Sequence, residues 1–163
     1  MLRAAERATN GYRLPTEAEW IWVARYGGRA SSPLRFGWGS ALPPPQKSVN
    51  LADESSDALL NNMVFGYNDG YPSTAPVGSF KPNRLGLFDL DGNVREWMHD
   101  FYEVSPPDVT LIDPMGPPRG TSRAIRGAGW RDANVQSLRL ASRTSGTGPE
   151  VDVGFRIVRP APR

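Results

Sequence analysis

The spacing of apolar residues predicts one helix near the start of the chain. Over Thr16–Tyr26, the side chains of Trp20 and Ala24 fall on one face when the residues are placed at helical spacing. The first residue of this segment and Glu19, three positions later, form the pattern of a capping box. The glycine pair at 27–28 then supplies a C-terminal stop.

The remainder of the pattern predicts short strands separated by long irregular segments, with a second helix over residues 2–9. Residues 28–73 show little regular periodicity, and segment 103–122 is rich in Pro and Gly. An irregular stretch of roughly 40 residues is typical of a functional or ligand-stabilised loop. The predicted strands are Ala75–Phe80, Val94–His99, Ala124–Gly127, Leu138–Ser142 and Val153–Val158. We therefore predict a single α+β domain over residues 1–163, coil-rich, with short antiparallel strands and one or two helices.

Composition excludes several classes of chemistry. The 163 residues include no cysteine and a single histidine, His99. Disulfides, a cysteine nucleophile, a structural zinc site built on thiolates and an iron–sulfur cluster are therefore excluded. Seventeen glycines and sixteen prolines agree with a loop-rich domain.

The basic residues do not form a nucleic-acid footprint. Of 19 basic residues only Lys47 and Lys81 are lysines, and the arginines are spread along the chain without a run of three. Because nucleic-acid sites cluster their cations, we predict no nucleic-acid partner. The sequence also contains no apolar span of about 18 residues and no apolar leader at its start, so we predict no membrane span or signal peptide and leave the localisation open.

Alternating acidic and amide residues make the segment after residue 88 a candidate calcium loop. Asp89, Asp91 and Asn93 resemble the start of an EF-hand loop, but Val94 stands where that loop requires glycine. The EF-hand is rejected. Oxygen donors beside Gly92 still suit calcium, and the alternative is an acidic turn capped by its own side chains.

Two further clusters each allow a functional and a structural interpretation. Asn50 lies in the irregular stretch with the later sequence Asp69-Gly70-Tyr71, which by itself is a turn signal but would allow an ion to hold the loop. The segment Gly127–Arg131, with the arginines that follow it, could grip an anion; alternatively its Trp packs in the core and its Arg side chains pair with acids. His99 could act as a base, although no partner nucleophile is evident.

The ordered motifs resemble the formylglycine-generating enzyme, or sulfatase-modifying factor, family. The resemblance covers roughly Tyr12 to Arg159, and the family implies a C-type-lectin-like fold. The motifs that carry it are Tyr12–Trp20, Ala75–Gly78, Gly86–Asp89, Gly92–Val94, Glu96-Trp97, Arg126-Gly127, Trp130, Arg139, Arg143 and Gly154–Arg156.

The resemblance also implies calcium sites, by position. In this sequence the positions of the first set are Asn50, Leu51, Asp69 and Tyr71. The positions of the second set are Asp89, Gly92, Val94 and Glu96. Because residues of this sequence occupy all of these positions, the cofactor that the resemblance implies is calcium.

The family's copper chemistry does not carry over. Its oxidases hold copper(I) on two cysteines in the stretch that corresponds to Trp130–Arg143, and no thiol, Met or His stands there. We therefore expect no copper. The absence of cysteine and the single histidine argue against zinc, and the glycine spacing matches neither a dinucleotide fingerprint nor a P-loop, so no nucleotide is expected either. Arg95 also replaces the usual Trp, and few residues precede the Tyr12 motif, so the chain is expected to be the C-terminal portion of the family domain.

The function expected from these features is a non-catalytic, calcium-stabilised binding or scaffold module for a protein, peptide or small-molecule ligand. Related variable proteins carry their binding face in the region that matches Trp130–Arg143. The ligand-binding candidates are Arg95, Trp130, Arg131, Asn134, Gln136 and Arg143. The alternative is a thiol-independent maturation enzyme, for example of the siderophore type, with His99, Asp100 and Arg143 as its acid–base set.

Overall fold

The computed structural model describes residues 11–26, 33–104 and 111–160. Helix α1 spans Glu17–Tyr26, as predicted, and the capping box is formed. The Thr16 hydroxyl accepts a bond from the Glu19 amide (3.2 Å), and the Glu19 carboxylate accepts one from the Thr16 amide (2.8 Å). The helix predicted over residues 2–9 lies outside the described residues. No helix in the described ranges is long and apolar enough to cross a membrane.

Four short strands form one mixed sheet. They are β1 (Arg95–Phe101), β2 (Arg123–Arg126), β3 (Arg143–Gly146) and β4 (Val153–Gly154). Their order in the sheet is β3-β2-β1-β4. The β1–β2 and β2–β3 pairs are antiparallel, whereas β1 and β4 pair in parallel, which the sequence did not predict.

Two predicted strands are wrong, because in both segments the backbone turns instead of pairing with a neighbouring strand. In Ala75–Phe80 the Ser79 amide donates back to the Pro76 carbonyl (3.2 Å), which closes a turn. In Leu138–Ser142 the alternating apolar side chains are buried, but the backbone turns and its Leu140 amide bonds to the Arg35 carbonyl (3.0 Å). The apolar alternation of Leu138 and Leu140, which indicates a strand, therefore results here from burial of both side chains in a turn.

The predicted strand Val153–Val158 shortens to β4, and its last residue pairs elsewhere. Arg13 and Val158 form an isolated antiparallel bridge in which each amide donates to the other's carbonyl, at 3.0 and 2.8 Å. This bridge ties the segment before α1 to the segment after β4. A short 3-10 helix, Glu54–Ser56, interrupts the long irregular segment.

The core lies between α1 and the sheet, with a second apolar cluster under the loops. Strand β1 alternates, and its buried face carries Glu96, Met98 and Asp100. That face meets Trp20 of α1, which is fully buried. The second cluster consists of Phe36, Val49, Leu51, Tyr67, Ala128 and Leu138. Two of three side chains on the buried face of β1 are acidic, so the core must supply them with partners.

The start of α1 yields a pH prediction. Hydrogen bonds from the Arg13 guanidinium, 2.6 and 2.7 Å long, lower the pKa of Glu19 from 4.5 to about 2. Because the folded pKa is depressed, the contribution of Glu19 to stability is complete above pH 4.5 and is lost as the pH falls towards 2. Glu19→Gln should therefore lower the melting temperature at pH 7, and the difference from wild type should shrink over that window.

Thermal unfolding monitored by circular dichroism at several pH values checks this. The exposed Glu103→Gln variant provides the matched control, and its difference from wild type should stay small throughout. A Glu19→Gln deficit that is the same at pH 7 and near pH 2 would contradict the ion pair as the cause.

Candidate functional site

The first predicted calcium set is brought together around a buried carboxylate. Asp69 is 4% exposed, and its oxygens accept bonds from the amides of Leu51 (3.0 Å) and Tyr71 (2.7 Å). Its own amide donates to the carboxylate of Asp53 (2.5 Å). Burial raises the pKa of the Asp69 carboxyl to about 7, and the charge of Asp53 acts in the same direction.

Asn50 contributes an oxygen that has no hydrogen-bond partner. This residue is fully buried, and its amide nitrogen donates to the Ser73 carbonyl (2.7 Å). Its Oδ1 atom is buried and unpaired. An unpaired buried acceptor is costly, and a bound cation or water is the usual explanation.

The first set fits a calcium ion by its donor chemistry. It offers a buried carboxylate at Asp69 and an unused amide oxygen at Asn50, both hard oxygen donors. No cluster of three or more His, Cys, Asp or Glu side chains suited to a metal exists in the described part of the chain. The remaining ligands at this set would therefore have to be the carbonyls of Leu51 and Tyr71, or water.

Asp53 is a site residue that the sequence analysis missed. It is fully buried, and its carboxylate both caps the 3-10 helix through the Ser55 amide (2.9 Å) and accepts the Asp69 amide. This role could have been predicted from the sequence, because Ser56 follows Asp53 by three positions and the two residues form a capping box. Asp53 thereby fixes the position of the Asp69 backbone.

The second predicted set does not fit calcium in this arrangement. Glu96 accepts bonds on both oxygens: the Trp20 indole donates at 2.8 Å, and the Arg156 guanidinium donates at 2.6 and 2.5 Å. The negative charge of Glu96 is thus already neutralised by a cation. Asp89 accepts a bond from the Gly78 amide (2.8 Å).

The other two members of the second set serve packing. A Cβ on Gly92 would lie 2.6 Å from the Asn50 carbonyl oxygen and 2.3 Å from a methyl of Val49. Only glycine allows the two loops to approach so closely. Val94 packs against Gly154 of β4, where an added Cβ would lie 2.9 Å from its methyl.

Three of the predicted ligand residues lie exposed on one loop, Trp130–Gln136, which we name the display loop. Arg131, Asn134 and Gln136 face solvent, and the Arg131 guanidinium lies over the ring of Trp130, 5.7 Å from its centroid. The Asn134 side chain accepts the Gln136 amide (2.8 Å) and forms a tight turn.

The display loop is anchored at its base. The carboxylate of Asp132 accepts the Gly129 amide (2.9 Å), its carbonyl accepts the Ala52 amide (3.1 Å), and the Trp130 amide donates to the Asn93 carbonyl (2.9 Å). The indole nitrogen of Trp130 is buried and has no partner. A fixed backbone with exposed side chains at its tip is typical of recognition loops on rigid scaffolds.

Arg95 and Arg143, the other two predicted ligand residues, are engaged in ion pairs. Arg95 pairs with Asp152 at 2.7 Å and lies 3.6 Å from Glu150 and 3.9 Å from Asp132. It therefore braces the base of the display loop against the segment before β4.

Arg143 lies in a groove of about 510 Å³ beside α1. Its guanidinium forms a fork with the Glu17 carboxylate, at 2.6 and 2.8 Å, and this contact raises its pKa. Asp100 is buried in the same groove, where it accepts the Glu17 amide (2.8 Å) at the start of α1 and where burial raises its pKa. Arg126, buried on β2, completes the polar floor. Its guanidinium lies 3.5 Å from the Glu17 carboxylate and donates to the carbonyls of residues 140 (3.0 Å) and 141 (3.3 Å).

The comparisons with known proteins now decide the family. Residues 3–161 match the sulfatase-modifying factor enzyme 1-like domain. The chain belongs to this family. It is 37% identical over 160 residues to the formylglycine-generating enzyme of Streptomyces coelicolor, covering 93% of this chain and 48% of that protein. Its identity to the Bos taurus formylglycine-generating enzyme is 33% over 150 residues, covering 90% and 38%.

Solved structures of the family share the fold. Treponema denticola variable protein 1 superimposes with a TM-score of 0.62 and 31% identity, covering 91% of this chain and 48% of that one. The structure of PvdO from Pseudomonas aeruginosa gives 0.64 and 26%, with 98% and 57% covered. The fold is therefore the C-type-lectin-like, coil-rich α+β fold of the family, and the chain spans about half the length of the relatives it matches.

The Glu96–Arg156 pair yields a stability prediction. Removing one partner leaves the other charge without its counter-charge in a largely shielded position, since the Glu96 side chain is 6% exposed and that of Arg156 is 23% exposed. Glu96→Gln or Arg156→Met alone should therefore destabilise the fold by about 3 kcal/mol. The double variant Glu96→Gln/Arg156→Met should be more stable than the sum of the two losses implies, because neither charge is then left unpaired.

Urea unfolding of the four proteins gives the coupling free energy. The Arg119→Met variant, which removes an exposed arginine, is the control and should unfold like wild type. Strictly additive losses, or a single-variant loss below about 1 kcal/mol, would show that the contact is not a buried ion pair in solution.

Proposed function

We propose that this family member is a non-catalytic binding module whose display loop is held in place by a calcium ion at Asn50 and Asp69. The single observation that carries the proposal is the direct connection between the two places. The Asn50 carbonyl accepts the Asn93 amide (2.9 Å), and the Asn93 carbonyl in turn accepts the amide of Trp130.

A second connection runs beside the first. Leu51 donates its amide to Asp69, and the next residue, Ala52, donates its amide to the carbonyl of Asp132 in the display loop. An ion that fixes Asn50 and Asp69 would therefore restrict the same backbone that supports Trp130 and Asp132. Calcium would act as the brace that a disulfide supplies in other loop-rich domains, since this chain has no cysteine.

The chemistry of the loop tip sets the type of ligand. Arg131 offers a planar, multi-donor cation beside an aromatic ring, and Asn134 and Gln136 offer amides. Such groups recognise carboxylates and other polar acceptors on a protein, peptide or small molecule.

The arrangement of the alternative acid–base set supports a non-catalytic role. His99 and Asp100 are consecutive residues of β1, so their side chains project from opposite faces of the sheet. Both ring nitrogens of His99 are buried without a hydrogen-bond partner, and the Arg143 guanidinium is held by Glu17. The similarity to PvdO of Pseudomonas aeruginosa remains the support for the maturation-enzyme alternative.

Calcium should raise the thermal stability of the wild-type chain. At a calcium concentration about 100-fold above Kd, binding to the folded state adds about 2.7 kcal/mol, which corresponds to a rise in melting temperature of roughly 5–10 °C. Asn50→Ala should abolish this rise because it removes the unpaired oxygen. Differential scanning fluorimetry in EGTA, and then in excess calcium or magnesium, measures it.

Asp89→Asn is the matched control, because it alters a carboxylate of the set that does not fit calcium. It should keep the full calcium response. A wild-type melting temperature that is the same in EGTA and calcium, or an Asn50→Ala variant that responds like wild type, would overturn the calcium brace.

Binding through the display loop should depend on its exposed tip. Peptides selected on the wild-type chain from a random phage-displayed library serve as the probes. Arg131→Ala/Gln136→Ala should weaken their binding at least about tenfold, since a charge-assisted hydrogen bond contributes about 1.5–3 kcal/mol. Surface plasmon resonance gives the Kd, and EGTA should weaken it further by loosening the loop.

Arg119→Ala controls for the loss of one exposed arginine away from the loop. It should bind the selected peptides like wild type, and all variants should keep the wild-type melting temperature. Peptides that bind the double variant as tightly as wild type would show that the display loop is not the binding face.

A further inference from the structure

A second cavity, separate from the display loop and from the groove beside α1, collects charged side chains of both signs. It has a volume of about 300 Å³ and lies between the end of α1 and the loops around residues 37, 46, 82 and 90. This volume is at the lower end of the range for small-molecule sites. The polar residues that line it are Gln46, Lys47, Ser48, Lys81, Asn83, Asp89 and Asp91.

Both lysines of the chain line this one cavity. Every side-chain ion pair among the described residues uses an arginine, while Lys47 and Lys81 have no partner in that part of the chain. A lysine ammonium is a compact, mobile charge that adapts to a small ligand more readily than the planar guanidinium does. Two unpaired ammonium groups at one cavity offer a site for an oxyanion.

Two carboxylates line the same space without touching the lysines. Asp89 accepts the Gly78 amide. Asp91 lies so close to Gly37 that a Cβ there would be 2.2 Å from its Oδ2 atom. Both acids are thus held by backbone contacts rather than by Lys47 or Lys81. Opposite charges face one open space without neutralising each other.

The walls of the cavity show two further features of a built site. Lys47 and Asp89 both have a φ of 56°, a left-handed conformation that is strained for residues other than glycine. Such strain is concentrated at functional sites. The hydroxyl oxygen of Ser48 is buried and has no hydrogen-bond partner among the described residues, which leaves a polar group available at the wall.

An apolar side completes the cavity. The ring of Trp38 stacks on Phe36, with centroids 4.9 Å apart and planes within 5°, and Leu87 and Leu140 lie beside it. Stacking fixes the orientation of the indole. A ligand with a flat or branched apolar body could therefore pack here while its charged end meets the polar side.

We propose that this cavity binds a small zwitterion with an apolar body, which is the chemistry of a free α-amino acid. With both carboxylates ionised, the two ammonium groups and the two carboxylates balance. Burial raises the pKa of the Asp91 carboxyl to about 7, so near neutral pH the four groups carry at most a small net positive charge. A ligand that carries both signs matches both pairs: its carboxylate meets Lys47 and Lys81, and its ammonium group meets Asp89 and Asp91. The proposal does not rest on the display loop or on calcium.

L-phenylalanine is the first probe, titrated by isothermal calorimetry and by NMR of the Trp38 indole. Phenylpropionate, which lacks the ammonium group, and phenethylamine, which lacks the carboxylate, are the single-charge analogues. We expect L-phenylalanine to bind with a Kd at least about tenfold below either analogue, because each analogue loses one charged contact. Measurements in EGTA should give the same Kd, which separates this site from the calcium brace.

Lys47→Gln/Lys81→Gln tests the assignment of the carboxylate end. Both lysines are exposed, so the variant should keep the wild-type melting temperature while its Kd for L-phenylalanine rises at least about tenfold. Arg119→Gln/Arg139→Gln removes the same number of exposed cations elsewhere and should leave the Kd unchanged.

Three results would overturn the proposal. The first is no binding of L-phenylalanine or L-leucine at about 10 mM, a concentration well above the Kd of about 1 mM expected for a weak small-molecule site. The others are single-charge analogues that bind as tightly as the amino acid, and binding that the lysine double variant retains. Loss of the display-loop interaction alone would leave this site untouched, so the two proposals fail independently.

Discussion

The buried carboxylate of Glu96 is the contact on which the rest of the structure depends. It lies on the inner face of β1 and receives the indole of Trp20 from α1 and the guanidinium of Arg156 from the end of the chain. One ionised group thus joins the helix, the central strand and the last segment. Because a buried charge without its partners is unfavourable by several kcal/mol, the three pieces are stable only together.

Elsewhere in the structure, side chains make the hydrogen bonds to backbone groups that neighbouring strands make in more regular folds. The side-chain oxygens of Asp53, Asp69 and Asn93 accept backbone amides from loops distant in sequence. Buried amides need partners, and in a coil-rich chain the partners must come from side chains. This is why short polar residues, rather than apolar ones, determine the path of the long irregular segment.

Local features were predictable, and features that depend on distant segments were not. The capping box at Thr16 and Glu19 lies within four residues, so the start of α1 could be predicted. The alternation of Leu138 and Leu140 misled, because a turn anchored on Arg35 buries both. The parallel pairing of β1 with β4 and the use of Glu96 by Arg156 join residues about 60 positions apart, and only the folded chain shows them. The positions of Asn50 and Asp69 came from family resemblance, whereas Asp53 beside them went unnoticed.

The bridge between Arg13 and Val158 has a mechanical consequence. In an antiparallel pair the chain enters one member and leaves the other on the same side, so a force that pulls the two ends apart acts across the bridge. Such a force breaks the hydrogen bonds of the bridge one after another rather than all at the same time. Under such a force the Arg13–Val158 bridge should therefore break first, and the Glu96 contact should bear the force only after the bridge has opened.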